Sequence, residues 1–259
     1  MTPQQQLADV FVALAGSSTD GSVEGVGEGA GEGVAGGGLD VCRTLGVLAG
    51  RTPALLGVRA ASVVYVPGGR DEIRVSGSDT DVSLLEREAV SWREGPGHVV
   101  SEGVAAWPEA PAALGCGPVM RRWPRYAPRA LALDYTHVVS LPLRVSAGSL
   151  GALVLFAGRG DVFSPGALRL GQSMADFTAV TLHRAREAEQ SRVLAGQLER
   201  ALASRVVIEQ AKGVLAVRRS LSVDDAFDAM RAHARSHRRV LSEVAREVVE
   251  GHADPELAG

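Results

Sequence analysis

Lys212 is the only lysine in this 259-residue chain; every other basic residue except the six histidines is arginine. Between Arg205 and Arg246, nine Lys and Arg stand against five Asp and Glu, in a chain whose net charge is −3. Guanidinium groups pair bidentately with phosphate oxygens and stack on flat aromatic faces, so a local arginine cluster suits phosphate or nucleic-acid contact. The candidate contact residues are Arg205, Lys212, Arg218, Arg219, Arg231, Arg235, His237, Arg238 and Arg239. Arg231, Arg235, Arg238 and Arg239 follow the i, i+4, i+7, i+8 rule of one helix face, with His233 and His237 alongside. A charge stripe is also what any solvated helix face looks like. Here it lies on a segment too small to enclose an active site, which favours a phosphate-binding surface.

Three helices must carry these groups. The first ends at Arg218-Arg219-Ser220-Leu221. Ser222 is placed to cap the second, with Asp224 and Asp225 in the first turn, where the helix dipole favours acids. Val223, Ala226, Phe227, Met230 and Ala234 recur at helical spacing on its inner side. The third helix, Leu241–Val249, turns Leu241, Val244, Ala245 and Val248 inward. Upstream, Ser164 and Pro165 make an N-cap and N1 pair, and no proline interrupts 166–219. Leu194, Leu198, Ala201, Arg205, Ile208, Lys212 and Leu215 are spaced alternately four and three apart, a short heptad seam suited to pairing with a second copy. Gly196 and Gly213 each weaken that helix by about 1 kcal/mol. Arg205 and Lys212 on the seam either fix its register or reach a ligand from a face left uncovered.

These residues carry a resemblance. SRVVIEQAKGVL followed by DAFDAMRAHARSHRRVLSEVA resembles the ANTAR domain over about 200–250. Arg205, Ile208, Ala211, Lys212, Gly213, Leu215, Ala226, Arg231, Ala234, Arg238, Leu241, Val244 and Ala245 stand where its pattern expects them. Ala216 replaces the usual Met, Phe227 a Tyr, and His237 a frequent Asn. The resemblance implies a three-helix RNA-binding output of bacterial antitermination regulators, acting as a dimer on paired stem-loops in leader RNA.

The upstream region alternates helix, hairpin, loops, hairpin and helix. Residues 39–57 read as a helix broken near Arg51-Thr52-Pro53. VRAASVVYV (58–66) and Glu72–Gly77 flank Pro67-Gly68-Gly69 as one hairpin. Asp81–Trp92 is helical; Gly95–Leu114 is loop-rich, and Arg121–Leu133 an irregular helical loop. HVVSLPLRV (137–145) and SLGALVLFA (149–157) form a second hairpin, with Pro142 at an edge or bulge. Helices are expected on one side of the sheet. Together with Gly95–Gly97 and RWPRYA (122–127), these segments resemble a GAF domain over 39–185, which implies a small-molecule sensor. The GAF and ANTAR pairing resembles a one-component regulator of actinobacterial type, and the Arg-rich, Lys-poor composition suits a GC-rich bacterial genome. Before it, Leu7, Val10, Phe11 and Leu14 make an amphipathic helix within 1–20, and 21–38 is a glycine-rich flexible insertion. Gly31, Gly33 and Gly36 spell G-x-G-x-x-G there without the strand and helix a dinucleotide site needs.

With 46% apolar and 22% charged residues the chain reads as folded. Its start lacks a signal-peptide pattern, and no apolar run suits a membrane span, so a cytoplasmic protein is expected. Cys42 and Cys116 make neither a disulfide framework nor a zinc site; Cys116, between two glycines, is either a redox thiol or an inert loop residue. No hydrolase, P-loop or metalloprotease motif occurs, so no enzyme, cofactor or metal is expected. Cyclic-nucleotide GAF domains use a lysine that the sensor region lacks. Trp92, His98, Trp107, Trp123 and His137 are candidates to line a ligand pocket, with core packing the competing role for the tryptophans.

The expected fold is α+β: a GAF-like antiparallel sheet with helices (39–185), a linker helix or short coiled coil (186–199), a three-helix ANTAR-like domain (200–251) and a tail (252–259). The expected function is RNA-binding transcription antitermination under control of an unidentified ligand, as a homodimer. The alternatives are a DNA-binding regulator, or a ligand-sensing dimerisation module without nucleic-acid binding.

Overall fold

The computed structural model describes residue 12 and residues 40–67, 73–101, 110–146 and 148–258. The expected N-terminal helix (apart from Val12), the glycine-rich insertion and Trp107 lie outside the described residues. The chain divides into two compact units, Met1–Glu187 and Ala188–Gly259.

The first described helix, α1 (Val41–Leu56), is capped by Asp40, whose carboxylate accepts the Arg43 amide at 3.1 Å, and ends at Gly57 in the left-handed region (φ 65°). It is not broken at Pro53. The proline removes one amide donor, yet Leu45, Leu48, Ala49, Thr52 and Leu56 form one buried face that carries the helix across it. Strands β1 (Ala60–Tyr65) and β2 (Arg74–Gly77) pair as the expected antiparallel hairpin. Helix α2 (Thr80–Trp92) starts at the Asp79 cap. The stretch expected to be loop-rich contains helix α3 (Gly95–Ser101) and the two-residue strand β3 (Ala112–Ala113). Two short helices follow, α4 (Gly117–Arg122) and α5 (Tyr126–Ala132). Then come β4 (His137–Val145) and β5 (Gly148–Ala157), whose register shifts between Pro142 and Arg144, a bulge where the proline cannot donate.

The five strands lie in the order β2-β1-β5-β4-β3, all neighbours antiparallel. Helices cover both faces, not one. Val63, Leu141, Leu153 and Leu155 pack with Leu45 and Leu48 of α1 and with Met174 and Leu182 of helix α6 (Pro165–Arg219). Val154 and Phe156 of the opposite face pack with Val82 and Leu85 of α2 and with Val119, Trp123 and Tyr126. The signal for this was present: all six residues of β1 are buried, and a strand buried on both faces reads as a continuous apolar run, not an alternation.

In the C-terminal unit, the last turns of α6 join α7 (Val223–Ser236), α8 (Leu241–Glu250) and α9 (Pro255–Ala258). Ala211, Leu215, Ala226, Met230, Ala234, Val244, Ala245, Val248 and Leu257 make its core. The core is small and alanine-rich, so truncating fully buried Met230 would cost roughly 2–5 kcal/mol, a large share of a small unit's stability. Among the described residues, no helix is long and apolar enough to cross a membrane.

Candidate nucleic-acid interface

Helix α6 leaves its ladder at Ser220, in the left-handed region (φ 53°), and the Leu221 amide bonds back to the Ala216 carbonyl at 3.0 Å. Ser222 then caps α7: its hydroxyl oxygen accepts the Asp225 amide at 3.1 Å and its hydroxyl hydrogen goes to Asp225 Oδ2 at 2.6 Å. This sharp corner packs α7 on Ala211 and Leu215.

The candidate cations fall into two groups. Arg205, Arg218, Arg219, Arg231, Arg235 and Arg238 are exposed, and among the described residues no ion pair or side-chain hydrogen bond holds them. Lys212 and Arg239 are engaged. Lys212 Nζ meets Glu209 Oε2 at 3.0 Å and Oε1 at 3.2 Å, stands 5.4 Å from the Phe227 ring centroid, and leaves its side chain 15% exposed. The aromatic ring thus shelters the only lysine, and Phe227, in place of the expected tyrosine, retains the cation–π face. Arg239 forms a fork with Glu247 of α8, Nη1 to Oε2 at 2.8 Å and Nη2 to Oε1. That pair holds the Glu247 carboxyl below its ordinary range and the Arg239 guanidinium above its own.

The four-arginine face is not continuous. Helix α7 ends at Ser236, His237 is its C-cap, and Arg238 takes φ 54°. The Arg239 amide closes the end on the Ala234 carbonyl at 2.8 Å. Only Arg231 and Arg235 share the helix face; Arg238 projects from the turn and Arg239 faces α8. His233 is buried, while His237 is exposed and stacked on it.

The heptad seam also divides. Leu194 (56% exposed) and Leu198 (57%) stay open to solvent, while Ile208 is half-buried and Leu215 packs in the core. Val193, Leu202 and Val206 are exposed as well, so an apolar band runs along 193–206. The lower half of the seam serves the unit's own core, and the upper half is exposed among the described residues.

In the N-terminal unit the described pocket candidates do not all lie on one face of the sheet. Trp123 is buried against Tyr126, edge to face, with centroids 5.3 Å apart. His98 is buried in α3 and Trp92 half-buried at the end of α2. His137, half-buried, shares strand parity with Val139 and Leu141 and so lies on the other sheet face, its Nδ1 3.1 Å from Thr136 Oγ1. An open groove lined by Cys42, Ile73, Arg74, Val75, Arg87 and Val90 contains none of the four. Cys116 is half-buried in the approach to α4.

The interior of this unit holds a polar group the spacing argument overlooked. Glu86 is fully buried on α2, one turn from Val82 on the inner stripe, and that position was its only signal. The Tyr126 hydroxyl donates to Glu86 Oε1 at 2.8 Å, while Glu86 Oε2, Ser62 Oγ and Ser140 Oγ have no hydrogen-bond partner among the described residues. Ser62 and Ser140 flank Val154 on the same face. Burial pushes the Glu86 carboxyl up to about 7, against the lowering effect of the Tyr126 bond. A Cβ at Gly97 would stand 2.4 Å from Val64 and 3.0 Å from Glu86 Oε2, so glycine is what lets α3 approach here.

The family model of the ANTAR domain matches residues 196–249. No curated protein matches the chain. Among solved structures, the GAF domain of a putative sensor histidine kinase from Pseudomonas syringae pv. tomato is 16% identical, over 76% of this chain and 92% of that one, with a TM-score of 0.41. The GAF domain from a phosphoenolpyruvate-protein phosphotransferase of Coxiella burnetii is 15% identical, over 72% and 98%, with a TM-score of 0.46. The helix corner at Ser220–Ser222, the core around Ala211 and Met230 and the arginine-bearing end of α7 all fall within the matched span, and residues 196–249 of this chain are an ANTAR domain.

Proposed function

We propose that this chain is an RNA-binding transcription antitermination regulator, whose GAF-like N-terminal unit reads a small-molecule signal. The ANTAR domain at 196–249 is the observation that carries this reading. RNA hairpin loops offer phosphates and splayed bases, and exposed guanidinium groups suit both. Arg205, Arg218, Arg219, Arg231, Arg235 and Arg238 supply the exposed charge. Lys212 and His237 contribute beside them, and Arg239 chiefly braces α7 on α8. Two copies paired through the apolar band at 193–206 would present two such surfaces to paired stem-loops of a leader RNA, and bivalence multiplies affinity through effective concentration. Action on nascent bacterial RNA places the protein in the cytoplasm. In the N-terminal unit, the unpartnered polar atoms of Glu86, Ser62 and Ser140 support a polar signal molecule.

The test is a mobility-shift titration of the full chain against a leader RNA with tandem hairpins, with duplex DNA as competitor. The expected result is a salt-dependent shift that duplex DNA does not compete and that Lys212→Ala with Arg238→Ala removes. Full retention of affinity in the double variant overturns the site, and preferential competition by duplex DNA overturns the RNA reading.

A further inference from the structure

We propose that His233, His237 and Glu256 form a binding site for one divalent transition-metal ion of the zinc class, which clasps the C-terminal tail to the end of α7. One ligand atom from each of the three residues lies within 4.8 Å of the other two. The two histidines are four residues apart, so one turn brings both rings to the same side; the rings stack with centroids 4.1 Å apart at 29°. Glu256 arrives from α9, 19 positions further on.

Three features hold the ligands in place. His237 Nδ1 lies 3.1 Å from the His233 carbonyl oxygen and 3.0 Å from Ser236 Oγ, and the Ser236 hydroxyl donates to that same carbonyl at 3.0 Å. With Nδ1–H donated to the carbonyl, the His237 Nε2 lone pair is left for a metal, the usual outer-sphere arrangement of metal-binding imidazoles. Glu256 is held from behind: its amide donates to Asp254 Oδ1 at 2.9 Å, and the next residue, Leu257, is buried in the unit's core. The tail is therefore anchored independently of any metal, and the carboxylate starts near its position. Metal–nitrogen and metal–oxygen bonds of about 2.0–2.2 Å put tetrahedral neighbours roughly 3.3 Å apart, so the ligand atoms must close by up to about 1.5 Å. His237 and Glu256 are exposed, and rotation about their side-chain bonds supplies that movement.

Two imidazoles and one carboxylate are a borderline donor set. They favour Zn²⁺ and its neighbours over Mg²⁺ or Ca²⁺, which require mostly oxygen ligands. Three protein ligands leave a fourth position open. Arg235 and Arg238, the exposed cations nearest in sequence, carry no ligand atoms and disfavour a bare cation, so affinity depends on the Glu256 charge. The site requires no nucleic acid, and its test is independent of the function proposed above.

The test is equilibrium dialysis of untagged full-length protein, stripped with chelator, against zinc chloride, with Co²⁺ absorption as a probe of coordination. One Zn²⁺ per chain is expected, with a rise in melting temperature on loading. His237→Gln and Glu256→Gln, both at exposed positions, should each weaken binding at least about tenfold and abolish the rise. The metal-free melting temperature should be unchanged in Glu256→Gln and slightly lowered in His237→Gln, which gives up the Nδ1–H bond to the His233 carbonyl. His233→Gln is avoided because that ring is buried. Absence of stoichiometric binding at micromolar zinc overturns the proposal, as does unchanged affinity in both variants, which would place the metal elsewhere.

Discussion

The Tyr126 hydroxyl donates to Glu86 Oε1 at 2.8 Å across the interior of the N-terminal unit, joining α5 to α2 by a buried bond between two titratable groups. The carboxyl is neutral in its favoured state, raised from 4.5 to about 7. For an acid raised on folding, the folded state holds the proton more tightly than the unfolded chain. The contribution of Glu86 to stability is therefore greatest below about 4.5, falls as pH rises toward 7, and levels off above it. The shift corresponds to about 3 kcal/mol. Glu86→Gln should flatten this dependence and raise the melting temperature at pH values above 7. Thermal denaturation of wild type and variant across that range checks it, and parallel curves would refute the assignment.

Tyr126→Phe leaves Oε1 as bare as Oε2. It should destabilise the unit by about 1–3 kcal/mol and raise the Glu86 carboxyl further. In the Glu86→Gln background the same change should cost less. A double-mutant cycle measured by denaturant unfolding gives the coupling directly.

Arg238 holds a left-handed position that glycine occupies without strain. Arg238→Gly should therefore leave the melting temperature of the chain unchanged or slightly higher while weakening RNA binding. A fall in both would assign Arg238 a structural role instead.

Arg239 and Arg235 separate in the opposite way. Arg239→Ala removes the fork to Glu247 and should speed amide exchange in α8 at neutral pH. The Glu247 carboxyl is lowered on folding, so the pair's stabilisation is present above the ordinary carboxylate value and lost as pH falls through the folded one. The difference between variant and wild type should close in acid. Arg235→Ala should leave exchange in α8 unaltered and reduce affinity for RNA alone.

Leu198, 57% exposed in the middle of the apolar band, tests the pairing of two copies. Leu198→Glu keeps helix propensity and places a charge where a second helix would pack. Sedimentation should show wild type as a dimer and the variant as a monomer. An unchanged dimer would move the interface elsewhere.

Much of this architecture is local and was open to reading from residue order. Ser164-Pro165 and Ser222 with Asp224 and Asp225 start helices at the positions observed, because caps act within one turn. The β1–β2 and β4–β5 hairpins follow from apolar runs flanking turn residues. The ANTAR pattern was legible because its core residues recur at fixed helical spacing around one basic turn. Pro53 misled, since the burial of Leu48, Thr52 and Leu56 outweighs one lost amide bond. The arginine stripe misled more. Helical periodicity extends to any length on paper, but α7 stops at Ser236, and Arg238 and Arg239 then point in different directions. The Lys212–Glu209 pair is local, three residues apart on one helix, but only tertiary packing set Phe227 over Lys212 and Glu247 against Arg239, and so decided which cations are spent internally and which remain open. Packing alone also brought Glu86 to Tyr126 across 40 positions and Glu256 to His233 and His237. Such pairings depend on how separate elements meet, and no periodicity within one element encodes that.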